Sequence, residues 1–245
     1  MNQPVTREHR DGICILSLNR PDKLNAIDAA LISALNDALA AALECPDDRV
    51  ILLRGEGRAF CAGNDLEASD AQAAGGIARA DVQAHAEALQ AISRKLLLGD
   101  KPVVGAIHGW AVGAGFEWAL NCDLTVWGQE ARAFFPELGL GLFPTGGVLS
   151  LLPRIVGLAR AREMFLLGEK YDADTLQGLG LANRVVPDEQ VLEAALGIAE
   201  QLLELPASAV ARWKRALRES STLSLEETLD LEADALVAAI CQQAV

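Results

Sequence analysis

Two kinds of hydrophobic pattern alternate along the first half of the chain, and that alternation restricts the fold more than any other feature. Ile13 to Asn19 (ICILSLN) is β-rich and stops at the turn signal Arg20-Pro21. Asp28 then stands where a helix N-cap would, with Leu31, Leu35, Leu39 and Leu43 on one helical face. Val50 to Leu53 is a second short strand and leads into a loop from Gly55 to Gly63. A helix is expected from about Asp81 to Leu98, and a buried strand from Pro102 to Ile107. Gly109 to Gly115 is a glycine-rich turn from which Phe116 to Asn121 can start a helix, and Leu124 to Trp127 and Arg132 to Phe135 read as further strands. Strands alternating with helices predict an α/β architecture. From Leu158 onward helical patterns dominate, broken at Asp172, Gly178-Leu179-Gly180, Pro187-Asp188, Pro206 and Ser224. That change predicts a core over residues 1–190 and a helical region over residues 191–245. No sequence repeat is visible.

Charge narrows the function classes. Lys and Arg number 21 against 34 Asp and Glu, a net charge of −13 and a pI near 4.7. Nucleic acid and anionic membrane surfaces are repelled by such a field unless a local basic patch survives. The one basic cluster is Arg212-Trp213-Lys214-Arg215 with Arg218, which fits either a solvated helix face or a phosphate-binding patch. Apolar residues crowd between Pro102 and Leu120, but His108 and Glu117 interrupt them, which argues against a membrane span. Cys14, Cys45, Cys61, Cys122 and Cys241 form no CxxC pair, and no His stands at metal-ligand spacing. Reduced thiols and a polar, charged Met1 to Arg10 predict a cytoplasmic protein without a signal peptide or metal site.

The candidate chemistry lies around residues 113–137. Gly113-Ala114-Gly115 follows a buried strand and precedes a helix-like segment. It is either a plain structural turn or a helix N-terminus whose unpaired N–H groups suit an anion or a developing oxyanion. A dinucleotide fingerprint fails, because position 118 is Trp118. Glu117 and Glu137 each stand among apolar residues, in GFEWAL and FFPELG. Taken singly, such a glutamate is salt-bridged or exposed more often than functional. Two carboxyls in one apolar site, however, have raised pKa values suited to acid–base work near neutrality. No GxSxG elbow is present. His9 is placed in an N-terminal tail, His85 on a helix face, and His108 as a satisfied structural imidazole. Cys61 reads as a small buried thiol.

Taken together, these segments resemble the crotonase (enoyl-CoA hydratase/isomerase) superfamily over about residues 10–220. Asn19-Arg20-Pro21-Asp22-Lys23-Leu24-Asn25-Ala26 is similar to its NRP-x-x-x-NA segment, and Gly57 to Leu66 (GRAFCAGNDL) to its first oxyanion loop. Lys101 to Gly109 (KPVVGAIHG) resembles the KPV-x-A-x-x-G strand, with Gly113 to Glu117 and Asn121-Cys122-Asp123-Leu124 in place of the GGG-x-E and CD elements. Phe135-Pro136-Glu137, Pro144-Thr145-Gly146-Gly147, Leu152-Pro153-Arg154 and Gly178 to Val186 complete the series in order.

The resemblance implies a spiral of β-β-α units, with C-terminal helices that assemble homotrimers or dimers of trimers. It also implies an acyl-CoA thioester whose carbonyl is held by the backbone N–H groups of Asn64 and Ala114. The catalytic pair would be Glu117 and Glu137, and the CoA-binding positions Lys23, Leu24, Ala62, Asn64, Asp65, Leu66, Gly113 and Ala114. Coenzyme A would arrive as part of the substrate, with no other cofactor. Keeping both glutamates favours an enoyl-CoA hydratase of fatty-acid type, with Glu117 taking a proton from water and Glu137 delivering one. A double-bond isomerase and a non-catalytic or RNA-binding relative are the alternatives. Three positions depart from the pattern: Asn64 for alanine or glycine, Ala114 for glycine, and Thr145-Gly146-Gly147-Val148 for GAGG. The stretch Glu67 to Arg79 is expected to border the acyl pocket. Lys23 and the cluster of Arg212, Lys214, Arg215 and Arg218 are the cations expected near the CoA phosphates, and Leu223, Leu225, Leu229, Leu231 and Leu236 exceed what a lone terminal helix could bury.

Overall fold

The computed structural model describes residues 3–65 and 78–243. The first unit comprises β1 (Val5–Arg10), β2 (Ile13–Leu18) and α1 (Ala29–Glu44), and the second β3 (Val50–Gly55) and α2 (Arg79–Leu98). The third has β4 (Val103–Ile107), β5 (Trp110–Val112) and α3 (Ala114–Leu120), and the fourth β6 (Leu124–Gly128), β7 (Arg132–Phe134) and α4 (Val148–Val156). Then come α5 (Leu158–Leu167), β8 (Tyr171–Asp172), α6 (Ala173–Gly178) and β9 (Arg184–Val186), followed by α7 (Val191–Leu203), α8 (Ala207–Ser220) and α9 (Leu225–Gln243). One sheet runs β1-β2-β3-β4-β6-β9 and a smaller one β5-β7-β8. The third and fourth units each send one strand to each sheet. Cys61, downstream of β3, bridges to Ala111 of β5, so the second unit reaches the small sheet as well. This is the expected α/β spiral of β-β-α units, repeated in structure without repetition in sequence.

The large sheet is parallel except for β1 and is covered on both faces, so its strands read as continuous apolar runs. Alternate residues serve opposite cores. Cys14, Leu16, Leu18, Ile51, Leu53 and Trp127 face α1 and α2, whose Leu31, Leu35, Leu39, Ile92 and Leu96 are fully buried. Ile13, Ile15, Val50, Leu52, Val104 and Val126 meet Val191, Ala195 and Ile198 of α7 on the other side. The helices after residue 190 are therefore of two kinds: α7 completes the second core face, while α9 has no buried side chain among those described. Leu225, Leu229, Leu236 and Ile240 of α9 and Trp213 and Leu217 of α8 stand exposed.

Three local readings are corrected. The charged N-terminal stretch is not a tail but an edge strand, β1, antiparallel to β2, where solvent accepts charged side chains. His9 is thereby fixed, its Nδ1 lying 2.7 Å from the buried Asp48 carboxylate. Trp110-Ala111-Val112, inside the expected glycine turn, forms β5. Lys214, expected at CoA phosphates, is 5 % exposed, and its ammonium donates to Asp123 at 2.6 Å and to the Lys101 carbonyl at 3.0 Å. It ties α8 to the edge of the core. Arg215 is paired with Asp100 at 2.7 Å. No helix among the described residues is long and apolar enough to cross a membrane.

Candidate active site

Two loops form the floor of the site. Pro21–Lys23 make a short 3-10 turn, after which Leu24 and Asn25 adopt left-handed φ values of 50° and 56°. Asn25 is buried and holds this kink: its Oδ1 accepts from the Arg20 amide, and its Nδ2 donates to the Glu56 and Ala59 carbonyls at 2.9 and 2.8 Å. The Ala62 amide donates to the Leu24 carbonyl at 3.0 Å, which places the Lys23-Leu24 turn beside Ala62. The Ile27 amide bonds to Gly63 O, and the Asp65 amide bonds to Ile27 O. Asn64 is bracketed between those two bonds, which turns its own N–H away from Ile27. The Asp65 carboxylate is ion-paired with Arg20 at 3.2 Å and helps fix the loop. Leu66 and nearly all of the 67–79 stretch lie outside the described residues.

Above this floor sits the start of α3. Gly113, at φ +53°, is the turn before it; a Cβ there would come 2.5 Å from Glu137 Oε1, so only glycine fits. The first intrahelical bond runs from the Glu117 amide to Gly113 O at 2.9 Å. The Ala114 amide precedes it and belongs to the unpaired N-terminal set. Ala62, Asn64, Gly113, Ala114 and Glu137 line one cleft, whose remaining wall is apolar: Val112, Phe134, Pro136, Leu140 and Leu142.

The two glutamates are buried, 2 % exposed for Glu117 and 8 % for Glu137, and neither forms a salt bridge with another described residue. Their surroundings differ. Glu117, in the first turn of α3, receives the Thr145 amide on Oε1 at 2.6 Å and the Thr145 hydroxyl on Oε2 at 2.7 Å. Burial raises its pKa, and both Thr145 bonds oppose that rise by favouring the ionised form. Glu137 opens a short 3-10 turn, and its buried Oε2 has no hydrogen-bond partner among the described residues. Burial first, and the Glu117 charge second, push its pKa up to about 7. Asn64 Oδ1, in the same cleft, is the other buried acceptor there without a partner. Both carboxyls are thus raised above the ordinary glutamate value, by burial foremost, and the Glu117 charge adds to the rise at Glu137.

The remaining candidates have structural roles. The Cys61 thiol donates to Asn25 O, and burial pushes its pKa up to about 12. His108 Nε2 lies 3.0 Å from Gly57 O, a satisfied imidazole. Among the described residues no group of three or more His, Cys, Asp or Glu could hold a metal ion. Thr145 is the contact that motif reading passed over. Its side chain registered only as a departure from GAGG, and nothing local shows that it meets a glutamate 28 positions earlier.

A family model described as Enoyl-CoA hydratase/isomerase matches residues 8–245. A 2,3-dehydroadipyl-CoA hydratase of Escherichia coli is 36% identical over 229 residues, 93% of this chain and 86% of that protein. A 1,2-epoxyphenylacetyl-CoA isomerase of the same organism is 34% identical over 224 residues, 91% and 85% of the two chains. Among solved structures, an enoyl-CoA hydratase from Bacillus anthracis superposes with a TM-score of 0.90 at 30% identity, covering 97% of this chain and 91% of that one. The chain belongs to the enoyl-CoA hydratase/isomerase family of the crotonase superfamily. It is an enzyme, a lyase or an isomerase of that superfamily.

Proposed function

We propose that the chain is an enoyl-CoA hydratase that adds water to a 2-enoyl-CoA thioester. The observation that carries this reading is the pair of buried carboxyls beside the Ala114 helix terminus, one held by two Thr145 hydrogen bonds and the other with an oxygen that has no partner among the described residues. The thioester oxygen would lie between the Asn64 and Ala114 amides, of two residues that line the same cleft, where their N–H groups would stabilise enolate charge as it develops. Glu117, hydrogen-bonded toward its carboxylate form, takes a proton from water as the water oxygen bonds to C3. The C2–C3 π electrons move onto the thioester oxygen. Return of that charge draws the Glu137 proton onto C2. Glu117 ends protonated and Glu137 ionised, and proton exchange with solvent restores the starting states. Lys23, Leu24 and Ala62 form the CoA side of the cleft. The apolar wall takes the acyl chain, and no cofactor beyond the CoA of the substrate is needed.

Incubation with a panel of 2-enoyl-CoA thioesters, read by mass spectrometry, should return products heavier by one water. The second reading is a double-bond isomerase, which the isomerase relative keeps in view. It predicts no mass change with 2-enoyl or 3-enoyl substrates but interconversion of the two. The exposed apolar faces of α8 and α9 support assembly as a homotrimer or a dimer of trimers. Light scattering that returned a single 26.0 kDa species would overturn that assembly.

A further inference from the structure

We propose that the side-chain hydroxyl of Thr145 is a positioning group for Glu117, holding its carboxyl in one orientation through both protonation states of the catalytic cycle. This rests on the reading of Glu117 as the proton acceptor.

The geometry is specific. Thr145 spans both oxygens of one carboxylate, the amide on Oε1 and the hydroxyl on Oε2, at distances typical of charge-assisted bonds. The two donors differ in kind. An amide can only donate, so it favours the ionised form. A hydroxyl has one proton and two lone pairs and rotates, so it donates to a carboxylate and accepts from a carboxylic acid. When Glu117 takes a proton on Oε2, the hydrogen bond need not break; its direction reverses. The glutamate therefore need not swing to a new rotamer between half-reactions. Two neighbours restrict it further. Gly146, at φ +59°, packs so closely that a Cβ would sit 2.8 Å from the Glu117 Cβ and 2.9 Å from Oε2. Asn121, on the turn after α3, donates to the Gly146 carbonyl at 2.8 Å and fastens that loop to the helix carrying Glu117.

The electrostatics agree with the geometry. Glu117 is raised by burial and lowered by the two Thr145 bonds, the side-chain bond being the larger of the two. The titratable group facing it is Glu137, and the charged residue of the packed helix α4, Arg154, is exposed. β5, packed on the other side, carries no charged residue. Removing the hydroxyl takes a donor from the ionised form, so Glu117 holds its proton to higher pH.

The test uses the full-length enzyme with Thr145→Val, which keeps the amide and the β-branch, and Thr145→Ser, which keeps the hydroxyl. Thr145→Val should lower kcat by roughly tenfold at neutral pH with KM within about twofold, the loss deepening toward acid as the acid limb of kcat/KM moves to higher pH. Thr145→Ser should restore the limb and bring kcat within about threefold of the parent. In parallel, the Glu117 side-chain carboxyl is titrated by carbon NMR without substrate, its signal assigned through Glu117→Gln; it should titrate at higher pH in Thr145→Val. An unmoved limb and an unmoved Glu117 titration in Thr145→Val overturn the proposal, and so does a loss of activity accompanied only by a lower Tm. If the parent enzyme neither hydrates nor isomerises any enoyl thioester, the functional reading fails. The substrate-free titration still decides whether the hydroxyl controls Glu117.

Discussion

Asp123 and Lys214 should respond very unequally to removal, although they are partners. Lys214 Nζ is enclosed, and its partners among the described residues are the Asp123 carboxylate at 2.6 Å and the Lys101 and Leu96 carbonyls at 3.0 and 3.5 Å. Asp123 keeps 26 % of its side chain exposed and also accepts from the Val103 amide at 2.7 Å. Asp123→Ala therefore strands a buried ammonium and orphans an amide, a loss of about 3–5 kcal/mol. At about 2–4 °C per kcal/mol for a chain of this size, Tm should fall by roughly 6–20 °C. Lys214→Met leaves a carboxylate that water can still reach and fills the stem's space with an apolar chain, so its loss should be about 1–2 kcal/mol, roughly 2–8 °C. The double variant should be more stable than Asp123→Ala alone. Differential scanning fluorimetry orders the three, and steady-state kinetics should show Lys214→Met with KM within about twofold of the parent. A Lys214→Met enzyme with unchanged Tm and KM raised about tenfold would refute the buried tie and return Lys214 to the CoA phosphates.

Glu117→Gln and Glu137→Gln should each lower kcat by roughly 10²–10⁴-fold with circular dichroism unchanged, and the double variant should lose far less than the product, because both are proposed to act on one water. Glu137→Gln should also become more stable than the parent as pH rises. The folded carboxyl holds its proton up to about 7 against 4.5 for an ordinary glutamate, so its contribution is present below 4.5 and lost between 4.5 and about 7. That interval corresponds to roughly 3 kcal/mol, read as a Tm advantage at pH 8 that disappears at pH 4. Gly113→Ala, whose new Cβ would collide with Glu137 Oε1, should lower kcat by at least about tenfold while KM changes less, checked by the same kinetics.

Much of the fold could be read from local pattern because its strands are buried on both faces and its helices keep one apolar stripe. Asp28 does cap α1, accepting from the Leu31 amide at 2.8 Å, and α2 begins two residues before the expected Asp81. What escaped were elements defined by their partners. β5 is three residues between glycines and is a strand only because β7 and Cys61 pair with it. β1 is a strand because β2 offers an edge, and its own charges hide it. A row of cations on one helix face cannot show that Asp123 lies under one of them. The glutamates and the Gly113 turn were legible because apolar neighbours and glycine are local signals. The Thr145 hydrogen bonds were not, because they join segments 28 positions apart.

The departures from the family pattern fall around the two glutamates. Gly113 and Gly146 have positive φ and touch the two glutamates, so a side chain at either would displace a carboxyl. Gly113 keeps the family's glycine, whereas Gly146 stands where the GAGG pattern has alanine. Positions 64, 114 and 145 carry larger side chains than the pattern, Asn64 and Ala114 in the cleft of Glu137 and Thr145 on Glu117. Ala114 keeps the N–H that the helix terminus supplies. Asn64 keeps its amide free of the Ile27 bridge and adds a carboxamide whose oxygen has no partner among the described residues. Thr145 adds a hydroxyl that does have one, Glu117. The frame of Glu117, Glu137 and Gly113 is thus kept, while the side chains that differ from the pattern change the polarity around it. Differences between this chain's substrate range and its relatives' should therefore map to residues 64, 114 and 145 before any residue of the frame. Exchanging those three for the family's Ala, Gly and Gly together, in an otherwise unchanged enzyme, should alter the ranking of acyl-CoA substrates by kcat/KM. If the ranking stays the same while every rate falls equally, the three residues act on the shared chemistry and not on selection among acyl groups.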